Sequence, residues 1–406
     1  MRYTDENMEQ SILILGRQPA LGIAEAESLF GAAQVQPISE HAALVSLPHA
    51  DVHFARLGGS IKLCKLLTIL DTTNWGQIER YLVKVSPEHA SYLPEGKVQI
   101  GISAYGFSES TPRILATGLS IKKALRKVGK SVRLTPNQEP ALNSAQVLHN
   151  HLTGPTGWEL VIIKDDSNEA GKTIIAQTVN VQDIDGYTLR DRGRPKRDAR
   201  VGMLPPKLAQ IITNLAVADA KPSAKTTILD PFCGTGVVLQ EAMLMGYSVY
   251  GTDLENRMID YSKANLEWLP TEFKLTNTSF SLDQGDATSF AWQPAPDVVA
   301  CETYLGKPFT STPDGATLAQ TTTDCNLIIK KFLRNIANQT KPGTRFCIAI
   351  PAWQIRAGEF KHLPLIDSLE DLGYNRVSFE HAKSEDLLYY REDQIVAREL
   401  VVLTRK

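Results

Sequence analysis

From Thr226 onward the chain alternates short apolar runs with amphipathic stretches: "TTILD", "VVLQEAMLMG", "YSVYGTD", "RMIDYSKANLEWL", "FSLDQ", "DVVACE", "CNLIIKKFLRNIANQ" and "GTRFCIAIP". Near-continuous runs of Val, Ile, Leu and Ala suit strands buried on both faces, and the intervening helices supply the cover. The pattern predicts an α/β fold with an open parallel sheet. Ligands of such sheets sit beyond the carboxyl ends of the strands. "NRVSFEHA" and "VARELVVLTRK" are expected to close the chain as an antiparallel pair.

The first of these runs ends in a glycine turn, "LDPFCGTG". Gly234 and Gly236 let the backbone approach a ligand closely, and helix amides just beyond can donate to it. A P-loop needs Lys and Ser or Thr after its last glycine, and Val237 and Val238 stand there. A dinucleotide turn needs a third glycine, and position 239 is Leu. Asp230, beside the turn, would repel a pyrophosphate. S-adenosylmethionine has no phosphate and carries an ammonium and a sulfonium, so the acid suits it. Asp253 ends the next strand 17 residues after Gly236, where an acid accepts from ribose hydroxyls. Asp286 in "GDA" ends the third, within reach of an adenine amino group. Any one of these acids could merely cap a helix or turn. Three at successive strand ends, with a glycine turn, predict a cofactor site of Asp230, Phe232, Gly234, Gly236, Asp253, Asp286 and Ala287.

The 406-residue chain is long enough for two to three domains, with 43% apolar and 22% charged residues. Its first ~95 residues show mixed strand and helix signals of a small α+β domain; residues 96–186 form a second such unit and 187–201 a linker, with the sheet domain at 202–406. The polar start, the lack of any run near the ~20 apolar residues of a membrane span and five cysteines without CxxC spacing predict a cytoplasmic protein with neither disulfides nor zinc. His149 and His151 read as surface residues, Trp268 and Trp353 as packing residues, and Lys207 as a solvated helix start.

A net charge of −2 conceals segregation. No Asp or Glu occurs from Thr111 to Gln138, which holds Arg113, Lys122, Lys123, Arg126, Lys127, Lys130 and Arg133. Lys122, Arg126 and Lys130 line one helix face at i, i+4, i+8. From Arg190 to Arg200 six basic residues, including Arg194, Lys196, Arg197 and Arg200, face two acids. A charge run is commonly a solvated face, but unbalanced stripes of this kind are the footprint of a nucleic-acid partner.

"LDPFCGTG" with "MLPPKLAQIITNLA" upstream resembles the catalytic domain of THUMP-containing tRNA guanine-N2 methyltransferases, within the class I methyltransferase superfamily. "GISAYG", "IKKALRKVGKSVRL" and "LNSAQVLHN" are similar to their THUMP module, and "TVNVQDIDGYTLRDRGRPKRDARVGMLPPKLAQ" carries the likeness through the linker. The resemblance spans about residues 10 to 300. It implies a Rossmann-like seven-stranded sheet, a ferredoxin-like N-terminal domain, a THUMP-like RNA-binding domain at 96–186, bound S-adenosylmethionine and a tRNA held by its acceptor end. It also suggests that Met203 to Pro205 line the methionine end of the cofactor.

In that family the fourth strand ends in Asp or Asn, Pro-Pro and an aromatic residue. Here Glu302-Thr303-Tyr304-Leu305 stands in that place. The exocyclic amine of guanine is a poor nucleophile because its lone pair is delocalised. Acceptors on its hydrogens bias it toward an attacking geometry, and an aromatic ring stacks on the extruded base. Glu302 is the expected amine-positioning acid and Tyr304 the stacking candidate. The changed motif leaves two alternatives: an RNA-binding protein with lost or altered catalysis, or a methyltransferase acting on rRNA, DNA or a protein amide.

Overall fold

The computed structural model describes residues 10–167, 171–198, 203–219, 221–276, 278–309, 311, 313–356, 358–392 and 394–406. The chain forms two units. The first runs to Pro19 and takes in Ala33–Ala55 and Ser60–Ile184; the second takes in Ala20–Ala32, Arg56–Gly59 and Asp185–Lys406. Among the described residues no helix is long and apolar enough to cross a membrane.

The first unit is built on one eight-stranded sheet. Its order is Val35–Ser39, Ala42–Val45, Ser11–Leu15, Ser60–Leu70, Lys172–Val181, Gly157–Asp165, Val98–Tyr105, Val132–Leu134. The boundary expected at residue 95 does not separate two sheets, because Ser60–Leu70 pairs with Lys172–Val181 from Lys62↔Val181 to Leu70↔Thr173. Helices Trp75–Ala90 and Thr111–Lys127 bury Ile78, Leu82, Ile114, Ile121 and Leu125 with Ile100, Ile102 and Leu160 of the sheet. The apolar positions of Thr111–Lys127 thus turn inward at helical spacing, leaving Lys123, Arg126 and Lys127 exposed.

One buried ion pair ties this sheet together. Glu159 Oε1 accepts from Lys62 Nζ and Ser103 Oγ, and Oε2 accepts from Thr178 Oγ1. Lys62 Nζ donates also to the Leu142 carbonyl at 2.7 Å. Both charged side chains are 0% exposed. Charges so deeply desolvated are tolerable only when each is paired and hydrogen-bonded, as these are.

The second unit carries the parallel sheet expected from the sequence. Its order is Phe280–Gln284, Ser248–Asp253, Thr227–Asp230, Val298–Glu302, Arg345–Arg356, Val396–Arg405, Tyr374–Arg376, with short strands Glu359–Lys361 and Leu388–Tyr389 added at the far end. The first five run parallel; Val396–Arg405 is antiparallel to both Arg345–Arg356 and Tyr374–Arg376. From Thr227–Asp230 the chain winds outward one way, then returns to the other side at Val298–Glu302. That reversal opens a crevice at the carboxyl ends of these two strands. The segment Ala20–Ala32, most of it in helix Pro19–Phe30, joins this unit through Glu25, which accepts from the Gly58 and Gly59 amides and from Asn214 Nδ2 at 2.8–2.9 Å. Burial raises Glu25 to about 7 against those donors.

Removing one partner of the Lys62–Glu159 pair strands the other charge in the core. Lys62→Met should cost about 3–5 kcal/mol of stability in the first unit, whereas Lys62→Met with Glu159→Leu should recover most of it. Denaturant melts of the full chain, followed by amide hydrogen exchange in the strands of the first unit, measure both.

Candidate active site

The glycine turn leaves strand Thr227–Asp230 and enters helix Val237–Leu244 at Gly236, whose φ is +80°. A Cβ there would meet Ser262 Oγ at 2.9 Å, so this position needs glycine for its conformation and for the close approach behind it. Helix Asn256–Phe273 holds the turn from that rear side. Ser262 Oγ donates to the Gly234 carbonyl at 2.8 Å and Asn265 Nδ2 to the Thr235 carbonyl at 2.9 Å. On its other side, Gly234 (φ +50°) lines a cavity, and a Cβ built on it meets no protein atom within 4 Å.

That cavity, of about 950 Å³, lies along the carboxyl ends of the first four parallel strands. Asp230, Phe232, Asp253, Asp286, Ala287, Glu302 and Tyr304 all line it with Gly234, while Gly236 caps the helix just behind. Residues read from four separate stretches of sequence therefore meet in one place. Of the Met203–Pro205 segment, Leu204 lines it too.

Each carboxylate is held differently. Asp253 Oδ2 accepts from the Gly234 amide at 2.9 Å and Oδ1 from the Glu255 amide at 3.0 Å, which fixes its side chain beside the turn. Asp230 accepts from the Phe232 amide at 3.1 Å and is 2% exposed. Burial raises it well above the ordinary carboxylate range, and the neighbouring charges of Asp253 and Glu302 add to the shift. Asp253 is raised as well, chiefly by burial. Asp286, two residues beyond strand Phe280–Gln284, accepts from the Thr288 amide at 2.9 Å.

Glu302 has a partner that sequence reasoning missed. Arg398, 6% exposed on strand Val396–Arg405, donates from Nε to Glu302 Oε1 at 2.7 Å. It arrives from 96 residues away across the intervening strand, where Pro351 pairs with Arg398 and Ala349 with Glu302. The loop after Glu302 is rooted by Thr303, whose N–H and hydroxyl both donate to the Ala349 carbonyl. Tyr304 is 39% exposed, with Leu327 and Lys331 of helix Gly315–Ala337 also on the cavity wall.

The basic segments divide. Lys122, Lys123, Arg126 and Lys127 line one shallow groove on helix Thr111–Lys127, Lys130 follows it, and Arg133 is exposed on the edge strand Val132–Leu134. Arg113 instead pairs with Glu79 at 2.8 Å. In the linker Lys196 and Arg197 are exposed, but Arg194 is 3% exposed, which corrects its expected place at an RNA surface. Its charge acts on the buried Glu241, which Arg190 binds at 2.7 Å, so this stretch docks on the domain. Arg200 lies outside the described residues. Lys207 is half-buried, with its ammonium 5.1 Å from the Tyr187 ring centre, and does not simply solvate a helix start. His149 and His151 are exposed, no metal-binding cluster occurs among the described residues, and the five cysteines are free and buried. Trp353 is a core residue.

Sheet order and crevice define a class I methyltransferase fold. Residues 222–394 match a family model described as a methyltransferase domain. The chain is 29% identical over 150 residues to a tRNA (guanine(10)-N2)-dimethyltransferase of Methanothermobacter thermautotrophicus, covering 37% of this chain and 39% of that one. It is 34% identical over 111 residues to the enzyme of the same name from Pyrococcus abyssi, covering 27% and 30%. The chain thus spans well under half the length of these relatives. Among solved structures, TrmN from Thermus thermophilus shares the fold at a TM-score of 0.50 and 16% identity, over 98% of this chain and 100% of that one. A possible methylase from Clostridium difficile 630 does so at 0.53 and 12%, over 97% of each.

The residues present fit S-adenosylmethionine. The glycine turn leaves open space, and the buried Asp230 with the half-buried Asp253 and Glu302 and the exposed Asp286 gives the rim acids that favour a cationic ligand. That crowding has a cost in stability. A carboxyl raised on folding adds stability below its unfolded pKa and loses it as pH rises through the folded value. Asp230→Asn should therefore raise the melting temperature above that of the parent at pH 8, and the gain should vanish toward pH 4. The same variant should bind S-adenosylhomocysteine about tenfold or more weakly. Scanning calorimetry across pH and a binding titration check the pair.

Proposed function

We propose that the protein transfers a methyl group from S-adenosylmethionine to the exocyclic N2 amine of a guanosine in tRNA. The observation that carries this reading is Glu302, presented at the fourth strand end of a cavity that Asp230, Asp253 and Asp286 also line, and held there by Arg398. The names of the tRNA-modifying relatives support it. So does the THUMP-like resemblance of residues 96–186.

In this reading Asp253 would accept from the ribose, Asp286 from the adenine amine, and Asp230 would face the cationic end, with Phe232, Gly234, Gly236 and Ala287 shaping the wall. The chemistry such a cofactor would supply there is an electrophilic methyl on its sulfonium. Glu302 would accept a hydrogen bond from the guanine amine and turn its nitrogen toward that methyl; as the N–C bond forms and the S–C bond breaks to leave a neutral thioether, the amine sheds a proton that the carboxylate can take. The Arg398 guanidinium occupies Oε1, so the carboxylate is fixed in orientation before substrate arrives. Glutamate is one methylene longer than aspartate, and this ion pair sets where the extra length points. Tyr304 is exposed enough to stack on an extruded base. Lys122, Lys123, Arg126, Lys127, Lys130 and Arg133, with Lys196, Arg197 and Arg200 of the linker, contact the RNA backbone. A protein with this substrate works in the cytoplasm.

The protein incubated with methyl-labelled cofactor and bulk tRNA should release labelled N2-methylguanosine on nuclease digestion. Glu302→Ala should lower the rate about 10²–10³-fold while keeping cofactor affinity. Label found in rRNA or protein instead, or an unimpaired variant, would remove guanine positioning by Glu302.

A further inference from the structure

The linker does more than join two parts of the chain. Asn265, 0% exposed on helix Asn256–Phe273, uses its carboxamide on both the linker and the cofactor turn. Its Oδ1 accepts from the Lys196 amide at 2.8 Å, and its Nδ2 donates to the Lys196 carbonyl at 2.9 Å. The same Nδ2 donates to the Thr235 carbonyl at 2.9 Å. An amide nitrogen has two hydrogens, so these two acceptors exhaust it. Neither carbonyl can move away without leaving a buried polar group unpaired.

Two further contacts anchor the linker around this point. The Lys196 ammonium lies 5.6 Å from the Tyr261 ring centre, and Arg257 lies 5.7 Å from the same ring. Arg257 Nη1 also pairs with Asp198 Oδ2 at 2.8 Å, and both of those residues line the cofactor cavity. The segment that exposes Lys196 and Arg197 to solvent is therefore also a wall of the cavity and a support of its glycine turn.

We propose that Asn265 is a positioning residue that couples the two binding events: RNA on the linker orders the cofactor turn, and cofactor at the turn orders the linker. The inference rests on the reading of the cavity as a methyl-donor site and of the linker as an RNA contact. No change of shape is required. Two ligands that each pay to order the same hydrogen-bonded segment help one another. Linkage makes the effect equal in both directions.

The test titrates S-adenosylhomocysteine into the full chain with and without saturating bulk tRNA. In the wild type, tRNA should tighten binding about fivefold or more, and the ligand should tighten tRNA by the same factor. In Asn265→Ala the factor should fall to about one. A purely structural asparagine would weaken both affinities and leave their ratio intact. Amide hydrogen exchange gives a second readout that needs no variant: the ligand should slow exchange at the Lys196 amide. A wild-type protein that binds S-adenosylhomocysteine with a factor of one, or with unchanged exchange at Lys196, would overturn the coupling alone, as would an Asn265→Ala factor equal to the wild type's. A wild type that binds no S-adenosylhomocysteine would overturn the methyl-donor reading beneath it.

Discussion

The constraint on which the second unit turns is the placement of carboxylates where water is scarce. Asp230 ends the first strand of the parallel sheet at 2% exposure, with the negative charges of Asp253 and Glu302 close by. A buried acid there disfavours its own ionisation, and the fold answers in two ways. Backbone amides of Phe232, Gly234 and Glu255 hold the acids of the turn, and a buried arginine holds Glu302. What remains is a rim whose most favourable guest is positively charged. The site's selectivity follows from electrostatics before any shape is considered.

The architecture around that rim is a set of supports placed one layer back. Ser262 and Asn265 pin the turn's carbonyls, so the conformation that exposes Gly234 to the cavity is held from behind. Arg398 performs the same service for Glu302, and Thr303, doubly bonded to the Ala349 carbonyl, for the loop that carries Tyr304. In the proposed function Glu302 needs a support of this kind, because a freely rotating glutamate would spend most of its time elsewhere.

Much of this was legible in the sequence because it depends on period. Near-continuous apolar runs mark central strands, and an acid at the end of each run lands on the same rim whatever the intervening helices contain. The supports were harder to see. On helix Asn256–Phe273 the buried face is Met258, Ser262, Asn265, Leu266 and Leu269. Two polar residues stand there at apolar spacing, and that signal, a polar side chain where the core should be, could have found Ser262 and Asn265. Arg398 offered no local signal, since it meets Glu302 only because an antiparallel strand inserts beside Arg345–Arg356. Composition also misled at the linker, where six basic residues looked alike and Arg194 is nonetheless buried. The sheet that continues across residue 95 was hidden for a related reason: hydrogen bonding between Ser60–Leu70 and Lys172–Val181 joins segments over a hundred residues apart, which no window along the chain can register.

The central claim is that this rim selects a cationic, phosphate-free nucleoside. Calorimetric titration of the full chain at pH 7.5 with S-adenosylmethionine and, separately, with NAD measures that selection directly. One saturable site for S-adenosylmethionine and no heat from NAD is the result this structure predicts. Binding of NAD with no response to S-adenosylmethionine would contradict it.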